Sequence, residues 1–170
     1  MEGTQATMGE VLKFEAEGES KKITKDRMAD IDEILNYRQA MNHAVSLLSD
    51  LPLCQRLIKE THSVLLKGVR GKGKSPGEYR KIQNWIGPPG CKEDEAKFIP
   101  IIASQIPEAM SKWEKYIHSE ASDHLIKLAI VHAEFEVIHP FLDGNGRLGR
   151  MCVPLFMYKM GLIHTPMFYI

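Results

Sequence analysis

Apolar residues recur at three- and four-residue steps along most of this chain, so helices dominate the reading. From Lys25 to Ser49 the inward positions are Met28, Ile31, Ile34, Leu35, Met41, Val45 and Leu48. Asp50-Leu51-Pro52 ends that helix, and Pro52 suits the start of the next. The second helix carries Leu53, Leu57, Ile58, Thr61, Val64 and Leu65 on one face. A third opens at Pro100, with Ile102, Ile106, Met110, Trp113 and Ile117 inward and Pro107 as a kink or reset. The fourth runs from Ser122 to Ile138 and buries Leu125, Leu128, Ala129, His132, Ala133 and Phe135 or Glu136. The fifth follows the loop His139–Asp143 and ends near Met160, where Gly161 supplies the stop. Pro154 inside it costs about 3 kcal/mol in isolation, so packing offsets it or the helix bends. A short helix is expected over Thr7–Glu17.

One stretch breaks the helical period. Tyr79–Ile86 and Ala96–Ile99 flank Gly87-Pro88-Pro89-Gly90, which predicts a short, irregular β-hairpin. The expected fold class is mainly α: a helical bundle with one β-hairpin.

Composition narrows the function. The 170 residues hold 22 basic and 22 acidic side chains, a formal net charge of zero. That argues against a general polyanion binder and gives a nucleic-acid role no support, while leaving room for a local basic pocket. No apolar run approaches the roughly 18 residues of a membrane span. The N-terminus has neither the basic start nor the apolar stretch of a secretion signal. The three cysteines, Cys54, Cys91 and Cys152, show no CxxC pairing. They read as thiols in a reducing compartment, which predicts a cytoplasmic protein. The apolar ending Met167-Phe168-Tyr169-Ile170 predicts that the chain is cut short there.

Gly68-Val69-Arg70-Gly71-Lys72-Gly73-Lys74-Ser75 matches the P-loop pattern. The context refuses it. An amphipathic helix precedes it instead of a strand, and Pro76-Gly77 follows at once instead of a helix. Without that helix start the phosphates lose their ring of backbone N–H groups. The segment reads as a basic loop.

The chemistry concentrates in His139-Pro140-Phe141-Leu142-Asp143-Gly144-Asn145-Gly146-Arg147-Leu148-Gly149-Arg150. A helix starts near Gly144, and its orphan N–H groups and positive dipole end make an anion site. Gly144 and Gly146 let a phosphate come close. Arg147 and Arg150 share one helix face, and their forks suit phosphate oxygens. Asn145 can cap the helix or donate its amide to the anion. Asp143 alone would repel that anion; Mg²⁺ between them removes the conflict. His139 titrates near neutral pH and can take a proton from an incoming hydroxyl. Phe141 anchors the loop in the core. Together these describe a transfer reaction at phosphorus.

This segment resembles the Fic family signature, H-x-F-x-(D/E)-G-N-G-R-x-x-R, at every specified position. At roughly one in twenty per position, eight matches arise by chance on the order of once in ten billion starts. Asn36-Tyr37-Arg38, Pro76-Gly77-Glu78-Tyr79-Arg80, Gln83-Asn84-Trp85-Ile86-Gly87 and Phe135-Glu136-x-Ile138 extend the likeness over nearly the whole chain. The division it suggests is an N-terminal segment over residues 1–26 and a Fic domain over 27–170.

The resemblance implies a Fic-type bundle with a hairpin flap and an adenylyltransferase activity. AMP passes from Mg²⁺-bound ATP to a Ser, Thr or Tyr hydroxyl of a target protein. By position, His139 is the base and Asp143 the Mg²⁺ ligand. Gly144, Asn145 and Gly146 hold the α- and β-phosphates, and Arg147 and Arg150 the outer ones. The flap, Ile82, Gln83, Asn84, Trp85 and Ile86, docks the target by strand addition. A homo-oligomer is compatible with the sequence.

Relatives also carry an inhibitory helix, (S/T)-x-x-x-E-(G/N), whose Glu pairs with the second signature Arg. Glu2-Gly3 resembles its back half, so Glu2 is expected to reach Arg150. Other relatives transfer phosphate, UMP or phosphocholine, or remove AMP. A bulkier residue at the second signature glycine marks the kinase-like branch, and Gly146 argues against that. A silent binding module would lack the His or the Asp, and both are present. His43, His62, His118, His124 and His164 show no metal-ligand spacing and read as surface or capping residues. His132 reads as a packed core histidine, Trp85 and Trp113 as anchors, and Lys112, Lys115 and Lys127 as solvated.

Overall fold

Thr24 starts the first helix: its Oγ1 accepts a bond from the Arg27 N–H at 3.3 Å, and α1 runs Lys25–Leu47. The computed structural model describes residues 7, 9, 12, 14, 16, 24–68 and 73–166. The helix expected over Thr7–Glu17 falls largely outside them. Helix α1 buries Ile31, Ala40 and Ala44, while Tyr37, Met41 and Val45 pack against the core.

Helix α2, Gln55–Leu65, begins after Pro52 rather than at it. Its first turn is met from outside: Glu114 Oε2 accepts from the Gln55 backbone N–H at 3.1 Å and from the Gln55 Nε2 at 2.8 Å. It lies along α1 and buries Leu57, Ile58, Thr61, His62 and Leu65.

The third helix corrects the expectation at Pro100. Residues 100–102 stay extended, Ala103–Gln105 form one 3-10 turn, and α3 runs Ile106–Ile117. Pro107 sits in the first turn, where a missing N–H costs no hydrogen bond, so it starts this helix instead of kinking it. Ile102 is therefore 55% exposed rather than inward.

Helix α4, His124–Ile138, is capped by Asp123, whose Oδ1 accepts from Leu125 and Ile126 N–H. It buries Lys127, Leu128, Val131, Phe135 and Ile138. Leu125, expected inside, is 59% exposed, and Ala129 and Ala133 are also outward. The helix is apolar nearly all round, so its period does not select a face. Trp113 selects it, donating from Nε1 to the Val131 carbonyl at 2.8 Å. Lys127 is buried, not solvated: its ammonium donates to the Ser119 carbonyl and lies 5.6 Å from the Tyr116 ring centre.

Helix α5, Asn145–Lys159, buries Leu148, Met151, Cys152, Leu155 and Phe156 against α4, α1 and α2. Pro154 stays inside it, buried, so packing offsets its cost. The helix ends at Gly161, φ 69°, as expected: Gly161 N–H donates to Tyr158 and Leu162 N–H to Met157.

The hairpin is not formed as a hairpin. Among the described residues the only pairing there is one antiparallel bridge, Ile86 with Phe98. Pro88 and Cys91 close a turn, and a 3-10 turn at Glu93–Glu95 interrupts the return. The described residues form five α-helices with a bridged loop. The P-loop pattern lacks the flanking elements it needs, as expected, since helix α2 precedes it and Pro76 and Gly77 form a turn instead of a helix start. No helix among the described residues is long and apolar enough to cross a membrane.

Candidate active site

The signature occupies the joint between α4 and α5. Helix α4 stops because His139 turns left-handed, φ 49° and ψ 61°, while its N–H still donates to the Phe135 carbonyl. A non-glycine residue in that conformation persists only where its surroundings over-determine it. Arg80 does much of that. Its buried guanidinium donates to the carbonyls of His139 at 2.9 Å, Ile138 at 3.4 Å, Ile82 at 3.2 Å and Ile101. Its own N–H donates to the Pro140 carbonyl at 2.9 Å. One side chain thus ties both roots of the flap to the His139 turn.

Phe141 is fully buried and anchors the loop, as expected. Its ring stacks on His62 at 3.8 Å and tilts against Tyr79 at 5.3 Å. Asn145 is buried too, and both ends of its amide are spent on the Phe141 backbone. Its side chain therefore neither caps α5 nor faces an anion. What Asn145 presents at the helix start is its backbone N–H.

Helix α5 starts at Gly144, φ 76°, with no side-chain cap. The N–H groups of Asn145, Gly146 and Arg147 have no carbonyl four residues back within the helix. Asp143 Oδ1 accepts from the Gly144 N–H at 2.6 Å. Two cations approach its carboxylate: Arg147 Nη2 at 3.5 Å from Oδ1 and Lys74 Nζ at 4.0 Å from Oδ2. Arg147 also faces Glu33 of α1 at 3.7 Å. Arg150, one turn on, lies within electrostatic reach of Tyr37, whose pKa is raised by burial and partly lowered again by that guanidinium. The structure thus gathers His139, Asp143, Gly144, Asn145, Gly146, Arg147 and Arg150 at one helix joint. Glu2 lies outside the described residues.

The flap residues divide. Ile82, Trp85 and Ile86 are exposed. Gln83 and Asn84 hold the segment down: Gln83 Nε2 donates to Asn84 and Pro100 carbonyls, and Asn84 Nδ2 to the Phe141 carbonyl at 3.2 Å. Asn84 Oδ1 is buried with no partner among the described residues, an acceptor left open beside the loop.

Two residues at this site carry no sequence signal of it. His62, expected at the surface, is wholly buried, and burial lowers its pKa to about 4. Arg80 gives no sign in the sequence of bonding five carbonyls through side chain and backbone. His132 is half-buried, its Nδ1 3.1 Å from the Gly149 carbonyl. A groove of about 590 Å³ beside the Gly77 turn, lined by Gln55, Lys59, Ser63 and Glu78, contains none of the signature residues.

Residues 52–157 match the Fic/DOC family and residues 1–46 the Fic/DOC family N-terminal region. A helical frame with an uncapped, arginine-lined helix start defines the class, and the chain belongs to the Fic/DOC family. A protein adenylyltransferase Fic of Drosophila grimshawi is 27% identical over 84% of this chain and 30% of its own length. A probable protein adenylyltransferase of Aquifex aeolicus is 36% identical over 41% of this chain and 22% of its own. A Fic domain containing signaling protein from Bacteroides thetaiotaomicron shares the fold, with TM-score 0.77 and 22% identity over 94% of this chain and 59% of that one. The chain therefore spans under a third of these curated relatives.

Proposed function

We propose that this chain is a protein adenylyltransferase, moving AMP from ATP to a Ser, Thr or Tyr hydroxyl of a target protein. The observation that carries it is the left-handed His139 set one short loop ahead of the uncapped α5 start, with Arg147 beside it. The names of the curated relatives support it. The free thiols of Cys54, Cys91 and Cys152 support a reducing, cytoplasmic setting.

The phosphates lie over the α5 start, on the N–H groups of Asn145 and Gly146, with Gly144 leaving room for their approach and Arg147 and Arg150 on the outer ones. His139 takes the proton of the target hydroxyl as that oxygen bonds to the α-phosphorus. The bond from the α-phosphorus to the bridging oxygen breaks, and pyrophosphate leaves. Asp143 is the residue that would hold Mg²⁺; the two cations that approach its carboxylate mark a place where positive charge fits. When bound, the ion neutralises carboxylate and phosphates against each other. The exposed Ile82, Trp85 and Ile86 present the edge on which a target strand docks. The division into residues 1–26 and 27–170 belongs to the same proposal, as does inhibition by Glu2 through Arg150.

Mass spectrometry of lysate proteins incubated with this chain, Mg²⁺ and ATP tests the reading. AMP adducts on hydroxyl side chains, absent with His139→Ala, are expected. Adducts of phosphate instead, or loss of AMP from pre-modified proteins, would replace it with the kinase-like or AMP-removing reading.

A further inference from the structure

We infer that His62 is a positioning residue, which sets the anion-binding end of α5 by acting through Asp143 and Gly144. The inference rests on the proposed roles of Asp143 and the α5 start.

His62 projects from α2 and has no exposed surface. Both ring nitrogens are engaged. The Gly77 backbone N–H reaches Nδ1 at 2.8 Å, and the Asp143 carbonyl lies 3.0 Å from Nε2. A backbone N–H can only donate, so Nδ1 presents its lone pair. A carbonyl can only accept, so Nε2 carries the proton. The two backbone groups together admit a single form of the ring, neutral and protonated at Nε2.

That ring joins pieces remote in sequence. Gly77 is 15 residues away and Asp143 is 81. The Gly77 turn follows Lys74, whose ammonium reaches the Asp143 carboxylate at 4.0 Å. Asp143 in turn holds the Gly144 N–H, where α5 begins. The His62 face stacks on Phe141 with 16° between planes, and Asn145 holds the Phe141 backbone. A Cβ at Gly144 would stand 3.6 Å from His62 Nε2 and 3.3 Å from Leu66 Cδ2, so the loop seats closely on this ring. Packing alone would accept any flat ring. The paired bonds require histidine, and they fix the Asp143 peptide that feeds the helix start. Groups that orient a metal-binding carboxylate from behind are worth 10–100-fold in affinity or activity.

Two measurements test this. The first is ¹⁵N NMR of the ring nitrogens in the nucleotide-free protein at neutral pH, and the neutral Nε2–H form is expected. An Nδ1–H or doubly protonated ring would overturn the inference whatever the enzyme does. The second is calorimetric titration with ATP and Mg²⁺ in the His139→Ala background, where no turnover intervenes. His62→Phe keeps the stack and loses both bonds; His62→Asn keeps an acceptor for Gly77 and loses the donor to Asp143. Each is expected to bind Mg-ATP at least tenfold more weakly, and His62→Gln, which keeps a donor at the Nε2 position, to recover most of the affinity. Circular dichroism establishes which variants fold, and His62→Asn carries the test if the Phe variant does not. A folded Phe or Asn variant with the parent's affinity would overturn the inference. A parent that binds no Mg-ATP removes the proposed function instead, while the tautomer reports on His62 separately.

Discussion

Asn145 closes a ring on Phe141: its Oδ1 accepts from the Phe141 N–H at 2.9 Å, and its Nδ2 donates to the Phe141 carbonyl at 2.8 Å. Both groups are buried. Asn145→Ala leaves the buried Phe141 N–H without its partner and the Phe141 carbonyl with the Asn84 bond alone, which costs about 2 kcal/mol. Urea unfolding measures it. A variant as stable as the parent would mean that the loop is held by Phe141 packing alone.

Gly144 and Gly161 both adopt positive φ, at opposite ends of α5. At Gly161 a Cβ meets nothing within 4 Å, so Gly161→Ala costs only the backbone strain of about 1 kcal/mol and leaves nucleotide binding unchanged. At Gly144 the same strain is joined by contact with Leu66, at the position where the proposed function puts phosphate. Gly144→Ala is expected to be the less stable of the two and to lose most ATP affinity. Melting curves and calorimetry of the pair separate strain from site.

In the proposed site, Glu33 would compete with phosphate for Arg147. The pair is 3.7 Å apart and partly exposed, so it is worth at most about 1 kcal/mol. Glu33→Gln should therefore tighten ATP binding by no more than about fivefold, and Arg147→Ala should weaken it. Weaker binding in Glu33→Gln would show that Glu33 positions the guanidinium rather than occupying it.

Why some of this was legible and some was not follows from sequence distance. The signature reads directly because its histidine, carboxylate, glycines and arginines all fall between His139 and Arg150. Only Ile31 and Leu48 of the positions expected inward in the first helix are buried, its apolar residues being spread around it, whereas α2 reads well because its apolar residues share one face. Helix α4 did not, being apolar on most sides until Trp113 chooses its inner face. The hairpin shrinks to the single Ile86–Phe98 bridge among the described residues, since turn residues between two segments do not reveal the 3-10 turn that Glu93–Glu95 form in the return. His62 was invisible because its partners, Gly77 and Asp143, lie in other segments, and no local pattern marks a histidine wanted for both ring nitrogens. Lys127 misled for the same reason, its carbonyl acceptor being supplied by the Ser119 turn.

Stability depends on pH through His62. Burial lowers its folded pKa from 6.5 to about 4. Between those values the unfolded chain binds more protons, so stability rises with pH across that window. The contribution is complete above about 6.5 and lost as pH falls toward 4, at most about 3 kcal/mol. Urea unfolding at pH 7 and pH 5 is expected to show the parent losing about 2 kcal/mol more than His62→Gln. Equal losses would place the acid sensitivity elsewhere.

Inhibition through Glu2 predicts a faster enzyme when it is removed. Glu2→Gly should raise the rate of AMP transfer, measured with equal amounts of protein; equal rates would remove Glu2 from regulation.

The central claim is AMP transfer with His139 as base. The direct test incubates the chain with Mg²⁺ and ATP labelled at the α- or the γ-phosphate, beside His139→Ala. Label on protein from the α-phosphate alone, lost in the variant, is the predicted result. Label from the γ-phosphate, or α-label that survives in His139→Ala, would contradict it.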